Sequence, residues 1–351
     1  MAIYRIYPEK DTTIWSEPNI AGTYGNAGLD EILEVGGYPD AYLTGRSQRT
    51  LIQFSTSDIQ STINTKVTGS FSSSLNLYLA SAGEIPTSYT LYAYPISQSW
   101  TNGTGKRDDS PLNTTGVSWQ YRGAQENAWD NLGGDFITSS VSGSQTFSLS
   151  SVKDLNMDVT SIVTQHYSES LDNYGILLKI EDSYENYTSA SINLKFYGND
   201  TNTIFPPYLE FKWDDSSYST GSLSVLSTDI ATVSIKNHRE KYLDSDSARF
   251  NISARPKYPT RTFTTSSIYL TEYALPEESY WGIKDEYSGE MIIDFDTTYT
   301  KINADLNGSY FNIFMNSLQP ERYYRLLIKT TLNGNTLVID NRNIFKVERN
   351  G

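Results

Sequence analysis

Few groups in this chain are suited to acid–base or nucleophilic chemistry. Among its 351 residues are two histidines, His166 and His238, and no cysteine. His166 falls on the apolar face of a helical pattern and reads as a core residue. His238 lies in the polar turn KNHREK, residues 236–241, and reads as solvated. There is no G-x-S-x-G elbow, no H-E-x-x-H, no Cys/His zinc spacing and no G-x-x-x-x-G-K phosphate loop. What remains is carboxylate, with 41 Asp and Glu. A glycosidase needs only two of these facing one another across roughly 5–10 Å. Asp108, Asp109, Asp130 and Asp135 crowd one aromatic-rich loop, but acids in Gly/Asn loops are ordinarily solvated turn formers. Asp244-Ser-Asp246 opens like a calcium loop and lacks the Gly and the closing Glu of an EF-hand. No metal and no cofactor is expected, and the chain reads as non-enzymatic.

The aromatic loop, residues 100–140, is the other candidate site. It contains TNGTGKRDDSPLNTTG and DNLGGDF, with Trp100, Trp119, Tyr121 and Trp129 set among the small and polar residues. A long irregular excursion inside a compact domain is commonly functional or an assembly surface. Two readings are open. The rings form an exposed platform that stacks on a glycan or meets a partner, or the loop folds back and its rings cover one end of a core.

The elements positioning this loop are mostly strands. Ser72 to Ala80 places Leu75, Leu77 and Leu79 on one face, and Leu91, Ala93 and Pro95 alternate in the same way. Thr50–Phe54 reads as a strong strand, Ser191–Phe196 and Pro207–Trp213 alternate, and Tyr174–Ile180 is apolar enough for a strand covered on both faces. Between them, Val159, Ile162, Val163, His166 and Tyr167 mark one face of the only convincing helix, with Asp158 placed to cap it. After Trp213 the polar run DDSSYSTG, residues 214–221, reads as a linker. Residues 222–351 again read as strands, and Asn333-Gly334 is a strong hairpin signal. The expectation is an all-β chain: a jelly-roll-like antiparallel sandwich over 1–213 and a smaller sandwich over 222–351.

Composition supports this, since Tyr numbers 27 and suits half-buried pleated surfaces. The net charge of −14 divides into −11 over residues 1–213 and −3 over the remainder. With no basic stripe, nucleic acid and anionic membranes are not expected partners. The absence of cysteine and of a signal-like start points to assembly in a reducing cytoplasm.

These segments resemble the DNRLRE family of β-sandwich modules, related to carbohydrate-binding module family 96. The matching pieces are Asp11-Thr-Thr-Ile14, Leu33-Glu-Val-Gly36, Arg49-Thr-Leu-Ile-Gln-Phe54, Ser74-Leu-Asn-Leu-Tyr-Leu79, Trp100, Val117-Ser-Trp119, Asp158–Val163, Asn173–Lys179 and Pro207–Phe211. Ser55 stands where that family usually has Asp. Leu318-Gln-Pro320-Glu-Arg-Tyr-Tyr324-Arg-Leu326-Leu-Ile328 resembles the stretch of fibronectin type III modules that carries a tyrosine corner. That resemblance gives Tyr324 and Pro320 structural roles. In overall style, the acidic, cysteine-free chain resembles virion structural proteins of tailed phages.

The leading expectation is therefore a structural protein of a phage particle, a tail, neck, baseplate or capsid-decoration component. It would contact other virion proteins and further copies of itself. A carbohydrate-binding adhesin, recognising a surface polysaccharide through Trp100, Trp119, Tyr121 and Trp129, is the alternative. A polysaccharide-degrading enzyme comes third.

Overall fold

The computed structural model describes residues 2–17, 22–39, 45–82, 88–139, 141–148, 154–186, 192–260 and 271–350. The chain is all-β and divides into two compact units. One comprises Arg5–Lys66 and Ser72–Phe211, and the other Met1–Tyr4, Val67–Phe71 and Lys212–Gly351.

The N-terminal unit is a two-sheet sandwich. One sheet has the order β1-β12-β5-β9, with β1 Ala2–Ile6, β12 Tyr208–Trp213, β5 Phe71–Leu77 and β9 Leu155–Asp158. The larger sheet follows β6-β11-β3-β4-β10-β7-β8: Leu79–Ala82, Ile192–Tyr197, Ile32–Pro39, Gly45–Gln53, Ile176–Ile180, Tyr89–Pro95 and Gly143–Phe147. β2, Lys10–Trp15, also pairs with β4. β10 is buried at all five residues, as its unbroken apolar run implies. Its Leu177 packs into a small second core with Ile14 and Leu51, beneath the 96–138 excursion.

The expectation of one helix is corrected to three among the described residues: α1 Thr56–Thr65, α2 Thr160–Tyr167 and the single turn α3 Asp182–Glu185. α1 buries only Ile59 and Thr62, so it has almost no apolar stripe to read from sequence. Ser55 is its N-cap, with its hydroxyl accepting from Asp58 N. In α2 the N-cap position falls on Val159. Asp158 acts from one residue earlier, its carboxylate accepting from Thr160 N at 2.9 Å and from Thr160 Oγ1 at 2.6 Å. None of the helices is long and apolar enough to cross a membrane.

The second unit has an immunoglobulin-type strand order. β13 Ala231–Ile235, β15 Ser247–Pro256, β19 Gly308–Phe314 and β18 Asn303–Asp305 form an A-B-E-D sheet. Facing it, β14 Lys241–Leu243, β21 Asn335–Glu348, β20 Arg322–Leu332, β16 Ser279–Asp285 and β17 Met291–Ile293 form the G-F-C sheet with its additions. β14 runs parallel to β21. Trp281 on β16 is buried and stacks on Phe311, with ring centres 5.5 Å apart. The Tyr324 hydroxyl donates to Gln319 O at 2.8 Å, one residue before Pro320, closing a tyrosine corner. Leu326, two residues on, occupies the place where antibody domains put their second cysteine.

The main boundary falls at Lys212, beside the expected 213, but residues before Arg5 and Val67–Phe71 group with the second unit, and 214–221 is part of that unit instead of a linker. Ile3 belongs to the core of the second unit, and the ring of Tyr4 meets that of Phe314 edge-on at 5.6 Å. The stretch 214–221 is tied down: Ser217 N donates to Asn303 Oδ1 at 2.8 Å, and the Tyr218 hydroxyl to Leu275 O at 2.7 Å. Part of the stretch expected as strands, residues 261–270, lies outside the described residues.

Candidate interaction site

The 96–138 excursion of the first unit is organised around one amide. Asn26, fully buried, donates from Nδ2 to Asn102 O at 2.6 Å and to Val117 O at 2.9 Å. Its Oδ1 accepts from Gly105 N at 2.9 Å and Gly28 N at 3.2 Å, so all four of its hydrogen-bonding positions are used. Close approach demands glycine around it. A Cβ on Gly116 would stand 2.4 Å from Asn26 Nδ2, and one on Gly103 would stand 2.4 Å from its Oδ1.

This folding buries the tryptophans. Trp100, Trp119 and Trp129 are 4%, 8% and 5% exposed and pack with Ile96 and Val117 against Ile14, Leu51 and Leu177. Trp100 Nε1 donates to Tyr174 O at 2.8 Å, and Trp129 Nε1 to Ser118 O at 3.0 Å, so the polar edges are satisfied internally. Of the two readings of this loop, the structure has the one in which it folds back and its rings cover one end of a core, and the three indoles form no exposed platform. Burying three indoles gains more than exposing them, and the loop's small residues let it close down. Tyr121, half-buried, bridges to Ala128.

The loop carboxylates hold turns. Asp135 is buried and accepts from Asp130 N at 2.7 Å, Asn131 N at 2.9 Å and Asn131 Nδ2 at 2.7 Å. Asp130 accepts from Gln98 Nε2 at 2.6 Å, and Asp109 from Lys106 N at 2.8 Å. In the second unit Asp244 accepts from Asn350 N at 3.0 Å, and Asp246 from Leu243 N at 3.0 Å. Among the described residues, no three His, Asp or Glu side chains gather as metal ligands.

Two charged clusters lock the excursion and its surroundings. Arg49 donates to Glu185 Oε1 at 2.5 Å and to Gly133 O at 2.7 Å, and its guanidinium lies over Trp119. Glu185 also pairs with Lys179 at 2.9 Å, and Lys179 reaches Asp182 at 2.5 Å, holding that carboxyl below the usual range. The second cluster surrounds the buried Glu34. It accepts from Trp15 Nε1 at 3.2 Å, Gln48 Nε2 at 2.6 Å, Arg107 Nη1 at 2.9 Å and Lys195 Nζ at 2.5 Å. Nothing in the sequence singled out Asn26 or Glu185, and Glu34 and Arg49 entered only as members of the matched segments 33–36 and 49–54.

No protein-family model matches the chain, and no curated protein matches it. Among solved structures it is similar to a DUF4785 family protein from Legionella pneumophila subsp. pneumophila str. Philadelphia 1. The identity is 11% and the TM-score 0.20, over 98% of this chain and 66% of that one. A likeness this weak carries no argument about fold or function.

Two buried titratable groups lie away from these clusters. Burial pushes the Asp11 carboxyl up to about 7, against the opposing effect of the Asn199 N–H donated to it at 2.7 Å. Burial lowers His166 to about 4, and its Nε2 has no hydrogen-bond partner among the described residues. Both sit within the fold rather than in an open cleft.

Proposed function

We propose that this chain is a non-enzymatic structural protein of a tailed-phage particle, acting through protein–protein interfaces. One observation carries the interface reading. Of the ten large hydrophobic residues exposed among the described residues, eight lie between Val225 and Val338 in the second unit. They include Tyr287 at 78% and Tyr323 at 39% exposure, whose rings meet edge-to-face at 5.9 Å. A preordered pair of exposed tyrosines offers contact area at low entropic cost, and tyrosine is enriched at interfaces. The closed excursion of the first unit supports the same reading, because its indoles are spent on internal packing. The phage assignment is supported by the resemblance in sequence style described above.

The test is size-exclusion chromatography with light scattering on the wild-type chain and a Tyr287→Ser/Tyr323→Ser double variant. A defined oligomer that the variant loses supports the proposal. A wild-type monomer at every concentration, together with saturable polysaccharide binding, overturns it in favour of an adhesin.

A further inference from the structure

One cavity in the second unit has no part in the features above. It lies between residues 237–239, the β14–β15 turn and the start of β15. It is a notch of about 180 Å³ open to solvent, lined by the buried Tyr242, the half-buried Asp246 and the exposed Asn237, Arg239, Ser247 and Arg249. The frame is fixed. Asn237 Nδ2 donates to Arg249 O at 2.5 Å, and its Oδ1 accepts from Asn251 N at 2.8 Å. Arg249 donates to Asp305 at 2.5 Å and Asn251 at 3.0 Å, and lies 3.5 Å from the Tyr310 ring centre.

The frame leaves donors unused. Tyr242 is buried, and its hydroxyl accepts from Arg239 N at 3.0 Å, so the phenolic proton points elsewhere. Among the described residues that proton finds no acceptor, and the Arg239 guanidinium makes no hydrogen bond or ion pair. Arg249 Nη1 and the Ser247 hydroxyl are likewise uncommitted. Two guanidinium groups, a phenol and an alcohol therefore line one small polar space, a donor set matched to a carboxylate. Asp246 spends one oxygen on Leu243 N, which leaves the other as a single acceptor.

We propose that this cavity is a socket for one carboxylate, the Asp or Glu side chain of a second copy of this chain. The volume is below the roughly 300–1,000 Å³ of drug-sized ligand sites and suits a single side chain. Charge supplies the source: residues 1–213 carry −11 of the total −14, so a neighbouring copy presents a carboxylate-rich unit. The contact is head-to-tail, the kind that builds rings or filaments. The choice of a second copy rests on the structural-protein reading above, whereas the socket rests on its own geometry.

The test uses the full chain, with propionate as the probe for an acidic side chain and propionamide as its neutral isostere. Nuclear magnetic resonance titration should show saturable shifts of the amides at 237–249 with propionate and not with propionamide. Arg239→Gln and Tyr242→Phe should each weaken this by about tenfold, the size of one lost charge-assisted or phenolic bond. Arg239 is exposed and unpaired, so its replacement leaves folding intact. Equal response to the two probes, or undiminished propionate binding by Arg239→Gln, overturns the socket. Sedimentation velocity then identifies the source. Weaker self-association in Arg239→Gln and with added propionate supports a second copy. Unchanged association, with propionate binding lost, overturns that source.

Discussion

The Arg49 guanidinium lies 4.8 Å from the centre of the Trp119 ring, joining the middle of the large sheet to the excursion that covers it. The same side chain bonds Gly133 O and Glu185, so one residue fixes strand, loop and the α3 turn together. Gly133 has φ +87°, and a Cβ there would stand 2.6 Å from Arg49 Nη1.

Arg49→Ala should therefore cost about 3 kcal/mol, since it leaves Glu185 buried with Lys179 alone. Urea denaturation measures the loss, and limited proteolysis within 120–128 should accelerate. Arg49→Lys should recover only part of it, because an ammonium cannot span both acceptors. Equal stability of Arg49→Ala and wild type would show that the excursion is held by its indoles alone.

Buried indoles make an optical prediction. Acrylamide should quench the tryptophan fluorescence poorly, and oligosaccharides should leave the emission unchanged. Trp119→Ala should cost about 3–5 kcal/mol, the usual penalty for emptying a large aromatic site. A saccharide-dependent emission shift that disappears in Trp119→Ala would restore the adhesin reading.

The tyrosine corner can be tested with one atom. Tyr324→Phe removes the hydroxyl that bonds Gln319 O and should destabilise the second unit by about 1 kcal/mol. Thermal melting followed by near-ultraviolet circular dichroism should show it. The first unit should melt as before.

Two buried groups push the pH dependence in opposite directions. Folded Asp11 titrates at about 7 against an ordinary 3.8, so between these values the native state holds the extra proton. Its contribution to stability therefore falls as pH rises from 3.8 to 7. Folded His166 titrates at about 4 against 6.5, so the unfolded chain binds the extra proton across that window. Its contribution rises with pH from 4 to 6.5. Each slope is at most about 1.4 kcal/mol per pH unit. Asp11→Asn should leave stability rising through pH 4–6.5, and His166→Gln should leave it falling. Denaturation midpoints across that range would decide, and parallel profiles for the two variants would refute the assignment.

Much of the fold could be read from local pattern. Asn333 and Gly334 both have positive φ, +50° and +77°, and close the two-residue turn between β20 and β21. The apolar run at Ile176–Ile180 gave a central strand because it is covered on both faces. Where pattern was weak, structure was missed: the apolar stripe of α1 is only Ile59 and Ile63, and β16 (SYWGIKD) does not alternate cleanly. The site was less legible still. A tryptophan in a glycine-rich loop looks the same whether the loop opens or closes. Closure here depends on Asn26, some 76 residues before the Asn102 carbonyl it binds. No local pattern encodes such a bond.

The parallel pairing of β14 with β21 gives the second unit a mechanical character. Lys241, Tyr242 and Leu243 lie beside Lys346, Val347 and Glu348, reinforced by the Lys241–Glu348 ion pair at 2.7 Å. Tension entering before β14 and leaving after β21 pulls the two strands along their length in opposite senses. Their bonds then share the load and must fail together instead of unzipping one at a time. The pairing of these two strands therefore resists extension in shear.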